Sequence, residues 1–196
     1  YKRQGGILGN DNLTGIITIS ESIADVELLG IDINVGKLGN ISVEGSGAPD
    51  SALLITGDIG GTTATIGDIN VTGFQTIKQD AYIMGVEVGE ISYKTSDSTE
   101  ALNTAIDLNK FIISDGVVGA VVLDADESNS SIDVDYNFID AGEGSGSIGA
   151  LNIVGETITL GQINADVVEG IVTIGSTEIN DEIAANTFGP IRIEGD

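Results

Sequence analysis

The hydrophobic positions of this chain return in one short phrase: an apolar residue, Gly, any residue, then two apolar residues one position apart. It stands at Leu38-Gly39-Asn40-Ile41-Ser42-Val43, Ile66-Gly67-Asp68-Ile69-Asn70-Val71 and Val88-Gly89-Glu90-Ile91-Ser92-Tyr93. It stands again at Ile148-Gly149-Ala150-Leu151-Asn152-Ile153, Leu160-Gly161-Gln162-Ile163-Asn164-Ala165 and Phe188-Gly189-Pro190-Ile191-Arg192-Ile193. Such recurrence predicts a repeat architecture. Gly67 follows Gly39 by 28 residues and Gly189 follows Gly161 by 28, with steps of 22 and 12 elsewhere. These intervals fit coils of two or three short strands with variable corners. In this reading the apolar positions form a stacked core, and the Gly is the corner at which each coil turns.

Between the phrases the pattern is strand-like. Leu29, Ile31, Ile33 and Val35 alternate with Asp32 and Asn34, and Asp133 to Ile139 alternates again, the period that sends aliphatics inward and polar groups outward. The phrase lapses between Gly89 and Gly149, so a less regular insertion is expected around 95–147. Within it, residues 98–108 read in two ways. Asp97 as cap, Glu100 three residues on, and Leu102, Ala105 and Ile106 on one side suggest a short helix; Leu102, Thr104, Ile106 and Leu108 also alternate as a strand. The expected fold is all-β, a parallel β-solenoid of Ile/Val-rich strands with Gly corners, and a β-sandwich is the alternative. One domain over 10–196 preceded by an arm over 1–9 is the expected organisation.

Composition supports this picture. Residues with hydrophobic side chains make up 41% of the chain but aromatics only 4%, with 28 Gly and 2 Pro. β-Branched residues punctuated by Gly favour short strands and tight turns. That apolar content is enough to fold despite a formal charge of −24.

The charge narrows the partners. Thirty-one acidic against seven basic residues cannot build the basic face that nucleic acid or an anionic membrane requires. Such a field attracts cations and basic patches, and surface glycans remain compatible with it. Cys and His are both absent, which removes thiolate chemistry, the usual zinc ligands and the commonest general base. The chain starts at Tyr1 and its one Met is Met84, the pattern expected of a processed product after export. No apolar run is long enough for a membrane-spanning helix. The expected location is extracellular or at the cell surface.

Candidate chemistry is sparse. Asp124, Asp126, Glu127, Asn129, Asp133 and Asp135 gather oxygen ligands in the manner of a calcium loop, so calcium is the one cofactor the sequence offers. The match to the helix-loop-helix type is poor, with Asn129 where Gly is wanted and Asp135 in place of the closing Glu; a solvated acidic corner explains the same residues. Asp124 with Asp126, or Asp133 with Asp135, would stand about 7 Å apart on a strand face, the kind of carboxylate pair polysaccharide-active enzymes use. Plain solvent-side alternation gives the same spacing, and no enzyme is expected. Thr63 with Thr65 and Thr157 with Thr159 are too few for an ice-binding array. Sequons at Asn12, Asn40, Asn70 and Asn129 suit a surface.

From Gly15 to Lys94 and from Ser147 to Gly195 the chain resembles secreted bacterial β-solenoid surface proteins, a class that includes adhesins and filament-forming passengers. The resemblance implies a parallel coil whose flank or ends mediate contact. Solenoids normally cover their outermost strands, and here little precedes Ile17 and Ile19 or follows Ile191 and Ile193. The expected function is therefore a secreted structural subunit that stacks head to tail with itself. Lys2 and Arg3 of the arm would lie on the acidic neighbour, and Ile7 and Leu8 would cover its apolar edge. A monomeric, calcium-dependent adhesion module is the alternative, and a polysaccharide-active enzyme a more distant one.

Overall fold

The computed structural model describes residues 2–9, 17–20, 25–33, 36–96, 103–109, 116–125, 130–134, 137–140, 146–160, 162–175, 178–179, 184–188 and 191–194. Among them all regular structure is β-strand, and successive levels pair in parallel. The fold is a β-solenoid, because strands pair in parallel with their counterparts on neighbouring levels along the whole stack. A β-sandwich is excluded by the same pairing.

Four ladders run along the solenoid. The first stacks Lys2–Gly9, Asp25–Ile33, Ala52–Ile55, Thr76–Gln79, Thr104–Leu108, Ser130–Val134, Thr157–Thr159 and Glu178–Ile179. A second continues from the far halves of Lys2–Gly9 and Asp25–Ile33 through Ile59–Gly60 and Ile83–Met84; Asn137–Asp140 pairs with Gln162–Val168 in the other sheet, the one that holds Val117–Asp124 and Ser147–Val154. A third carries Gly36–Leu38, Ala64–Ile66 and Glu87–Val88, then the first halves of Val117–Asp124 and Ser147–Val154. The fourth runs from Ile17–Ser20 through Ile41–Glu44, Ile69–Phe74 and Ile91–Thr95 to Val172–Gly175 and Ile191–Glu194.

Alternation along each strand puts every second side chain into one continuous core. In the fourth ladder Ile41, Ile69, Ile91, Val121, Leu151 and Val172 are register neighbours, all buried. Val43, Val71, Tyr93, Leu123, Ile153 and Ile174 form the next column. Leu53, Ile77, Ile106, Ile132 and Ile158 do the same in the first ladder. Each such side chain contributes about 1.5–3 kcal/mol by leaving water. A shift of one residue at any level would expose its whole set, so the columns fix the register.

Two polar groups interrupt this core. Gln79 and Tyr93 are fully buried on different walls, and the Tyr93 hydroxyl donates to Gln79 Oε1 at 2.5 Å. Gln79 Nε2 donates to the Ala81 carbonyl at 2.8 Å. Burial pushes the Tyr93 phenol well above its ordinary pKa. Hydroxyls also mark the entry to the first ladder: Ser51 Oγ accepts from the Gln75 N–H at 3.1 Å, and Ser130 Oγ from the Glu156 N–H at 2.8 Å. Thr104, the register neighbour of Ser130, buries its Oγ1 without a partner among the described residues.

Several expectations change here. Thr104–Leu108 is a strand with Thr104, Ile106 and Leu108 inward, because the adjacent levels offer a ladder that a short helix could not join; residues 97–102 lie outside the described set. Within 95–147, Thr104–Leu108, Val117–Asp124 and Ser130–Val134 pair in register with the levels on either side, and residues 97–102, 110–115, 126–129, 135–136 and 141–145 lie outside the described set. Val118-Gly119-Ala120-Val121-Val122-Leu123 is a full copy of the phrase, stacked between the copies at Val88 and Ile148. The Leu160 copy belongs to a different corner, since Thr157–Thr159 lies in the first ladder and Gln162 pairs with Asn137. On that level the phrase position is filled by Val168 to Ile174, one residue longer, and the extra length leaves Ile171 55% exposed. Lys2–Gly9 is a strand of the solenoid paired with Asp25–Ile33.

Two outcomes are expected. Stability falls as pH rises past the ordinary phenol value of about 10, because the unfolded chain then releases a proton that buried Tyr93 retains; in urea titrations Tyr93→Phe lessens this alkaline fall relative to the parent, at the cost of the hydrogen bond to Gln79 Oε1. Thr104→Val, which removes an unpartnered hydroxyl, is neutral or stabilising by about 1 kcal/mol, whereas Ser130→Ala destabilises by about 1 kcal/mol.

Candidate functional site

The most sharply built feature is the corner between the third and fourth ladders. Leu38, Ile66, Val88, Val118 and Ile148 point inward before it, and Ile41, Ile69, Ile91, Val121 and Leu151 after it. The Gly between them is required for space. A Cβ on Gly89 would stand 2.9 Å from the Asp68 N and the Gly67 C, one on Gly119 2.9 Å from the Gly89 C, and one on Gly149 3.0 Å from the Gly119 O. In each case the obstacle is the backbone of the preceding level, which cannot move aside. These glycines are not the ones with positive φ; those are Gly30, Gly36, Gly47, Gly60 and Gly73. The phrase therefore marks close stacking of backbones, and the expectation that its Gly serves the turn itself is corrected.

Beside Gly39 and Gly67 the variable residue ties one level to the next. Asn40 Oδ1 accepts from the Asp68 N–H at 3.0 Å, and Asp68 Oδ1 accepts from the Glu90 N–H at 2.9 Å. The Asn40 amide also donates to Asp68 Oδ2 at 3.4 Å. Backbone N–H groups left over where the strand bends are thus satisfied by the side chain one level earlier. Because glycines have no side chains, a groove of about 490 Å³ runs along the corner, with Gly39, Gly67, Gly89 and Gly119 as floor and Lys37, Thr65, Glu87 and Val117 along one wall. Val117 is 47% exposed and Val86 43%.

The acidic candidates separate. Asp124 ends its strand in the fourth ladder and pairs with Lys94 at 3.1 Å. Asp133 lies exposed on the first ladder, in register between Asp107 and Thr159. Asp126, Glu127, Asn129 and Asp135 lie outside the described residues. Among the described residues no group of three or more acidic side chains is placed to hold a metal ion. The threonine pairs stand on different walls, Thr65 in the third ladder and Thr157 and Thr159 in the first.

The residues expected at an assembly interface fall at the two ends of the ladders. Lys2, Arg3, Ile7 and Leu8 are register neighbours of Asp25, Val26, Ile31 and Asp32. Ile17 and Ile19 neighbour Ile41 and Val43 and are half-buried against the core. At the other end Ile191 and Ile193 neighbour Val172 and Ile174. Pairing brings the two groups to opposite ends and not together. Sequence reasoning missed the Asn40–Asp68–Glu90 ties; the clue was a short polar residue right after the phrase Gly.

No known family model, curated protein or solved structure matches the chain.

Gly89→Ala is expected to lower stability by about 1–3 kcal/mol, the range of overpacking, seen as an earlier urea midpoint with an unchanged slope.

Proposed function

We propose that this chain is a secreted structural subunit whose solenoid assembles end to end into an extracellular fibre. The observation that carries the reading is that the ladder is self-templating: each level presents the pairing edge and apolar columns that the next level uses. Among the described residues Ile17–Ser20 pairs only with Ile41–Glu44, and Ile191–Glu194 only with Val172–Gly175. In the proposed fibre the second edge of each accepts a parallel strand, the route by which chains extend a sheet. A contact between unlike ends whose rotation does not close yields an open fibre. The charge of −24 acts on the same reading by keeping the flanks of neighbouring fibres apart.

Sedimentation velocity and electron microscopy of the 196-residue chain test this. Unbranched fibres are expected, growing with protein concentration and with moderate salt, which shortens the range of like-charge repulsion to about 8 Å. A species that stays monomeric across both series overturns the reading. Calcium added to that monomer would then separate the alternative, since a large rise in melting temperature without fibres favours a calcium-dependent adhesion module.

A further inference from the structure

Resting on the end-to-end reading, the geometry points to one register for the contact: copies join in the register of the ladders themselves. Ile191 of one copy then lies beside Ile17 of the next, Arg192 beside Thr18, Ile193 beside Ile19 and Glu194 beside Ser20.

The fourth ladder supplies the first argument. Two of its register columns run from Ile17 and Ile19 through Ile41 and Val43 to Val172 and Ile174, with Ile191 and Ile193 as the next register positions. Joining the ends in this register prolongs both columns with Ile on both sides of the junction. A slip of one residue would set Ile17 and Ile19 beside Arg192 and Glu194, inverting the inward and outward sets. A slip of two would oppose Ile17 to Ile193 and leave Ile191 without an apolar neighbour.

The first ladder reaches the same translation independently. Its register passes from Lys2 through Asp25, Ala52, Thr76, Ala105, Ser131 and Thr157 to Glu178. The junction would put Lys2 beside Glu178, opposite formal charges in adjacent positions. Both ladders can be satisfied at once because the first level has an interior level's spacing. Fifteen residues separate Lys2 from Ile17, as they separate Thr76 from Ile91 and Thr157 from Val172.

The absence of Cys makes the test clean. Adjacent parallel strands lie about 4.8 Å apart, within the Cα range of about 4.4–6.8 Å that a disulfide spans. Thr18 and Arg192 stand at opposite ends of one ladder, so a bridge between them must join two molecules. Thr18→Cys and Arg192→Cys are made as single variants, mixed and oxidised, with Thr18→Cys mixed with Glu194→Cys as the offset control. Covalent dimers on a non-reducing gel are expected from the first mixture, at least tenfold more than from the control or either variant alone. Equal or greater yield from the control, in a chain that sediments as fibres, overturns the register and leaves the end-to-end reading standing. Absence of fibres from the cysteine-free chain overturns both. Melting curves of the single variants show that each is folded before it is mixed.

Discussion

The contact on which the structure depends is the meeting of backbones at the glycine corner. Strands in a parallel ladder approach to about 4.8 Å, and at this corner the polypeptide of one level lies directly over that of the level before. There is no space for a methyl group between Gly89 and the peptide of Gly67 and Asp68, or between Gly119 and Gly89. Everything nearby follows from that proximity. The flanking aliphatics are drawn into continuous columns, Ile41 over Ile69 over Ile91, and the variable residue can reach one level along to satisfy an N–H, as Asn40 and Asp68 do.

Charge works against this stacking and is overcome by it. Asp107 and Asp133 are direct register neighbours, an arrangement that opposes pairing. Lys78 offsets part of it, lying 3.4 Å from Asp107 and 3.8 Å from Asp80, and Lys94 reaches Asp124 at 3.1 Å. These side chains are 36–49% exposed, so each pair contributes about 0.2–1 kcal/mol, less than one buried Ile contributes at about 1.5–3 kcal/mol. The columns hold the levels together, and the few lysines moderate repulsion on the flanks.

The architecture was legible in the sequence because the glycine constraint is local and recurrent: it writes the same residue types at the same spacing on level after level. Reading the phrase only where it was most conspicuous lost Gly119, whose copy is hidden in the continuous apolar run from Val117 to Leu123. It also admitted the Leu160 copy, since an apolar-Gly pair followed by alternation arises at any corner that leads into a strand. Spacing in sequence does not say which corner is meant; pairing does, and Gln162 opposite Asn137 decides it. The helix signal before Leu108 failed for a similar reason, as capping is a local preference and the ladder's demand on Thr104–Leu108 comes from strands more than twenty residues away. The Asn40–Asp68–Glu90 ties were invisible because they join residues 22 and 28 positions apart.

A stack of this kind has no intrinsic length. Nothing in the pairing of Val172–Gly175 with Ile191–Glu194 differs in kind from the pairing of Ile41–Glu44 with Ile69–Phe74, so the interactions that add a level within the chain are those that would add one from another chain. In the proposed assembly the strong net charge would direct growth and not prevent it. Carboxylates such as Asp133 and Glu90 stand on the flanks and repel sideways approach, while the continuation of the apolar columns lies along the axis. In the proposed assembly such a distribution would favour growth along the axis and separation across it.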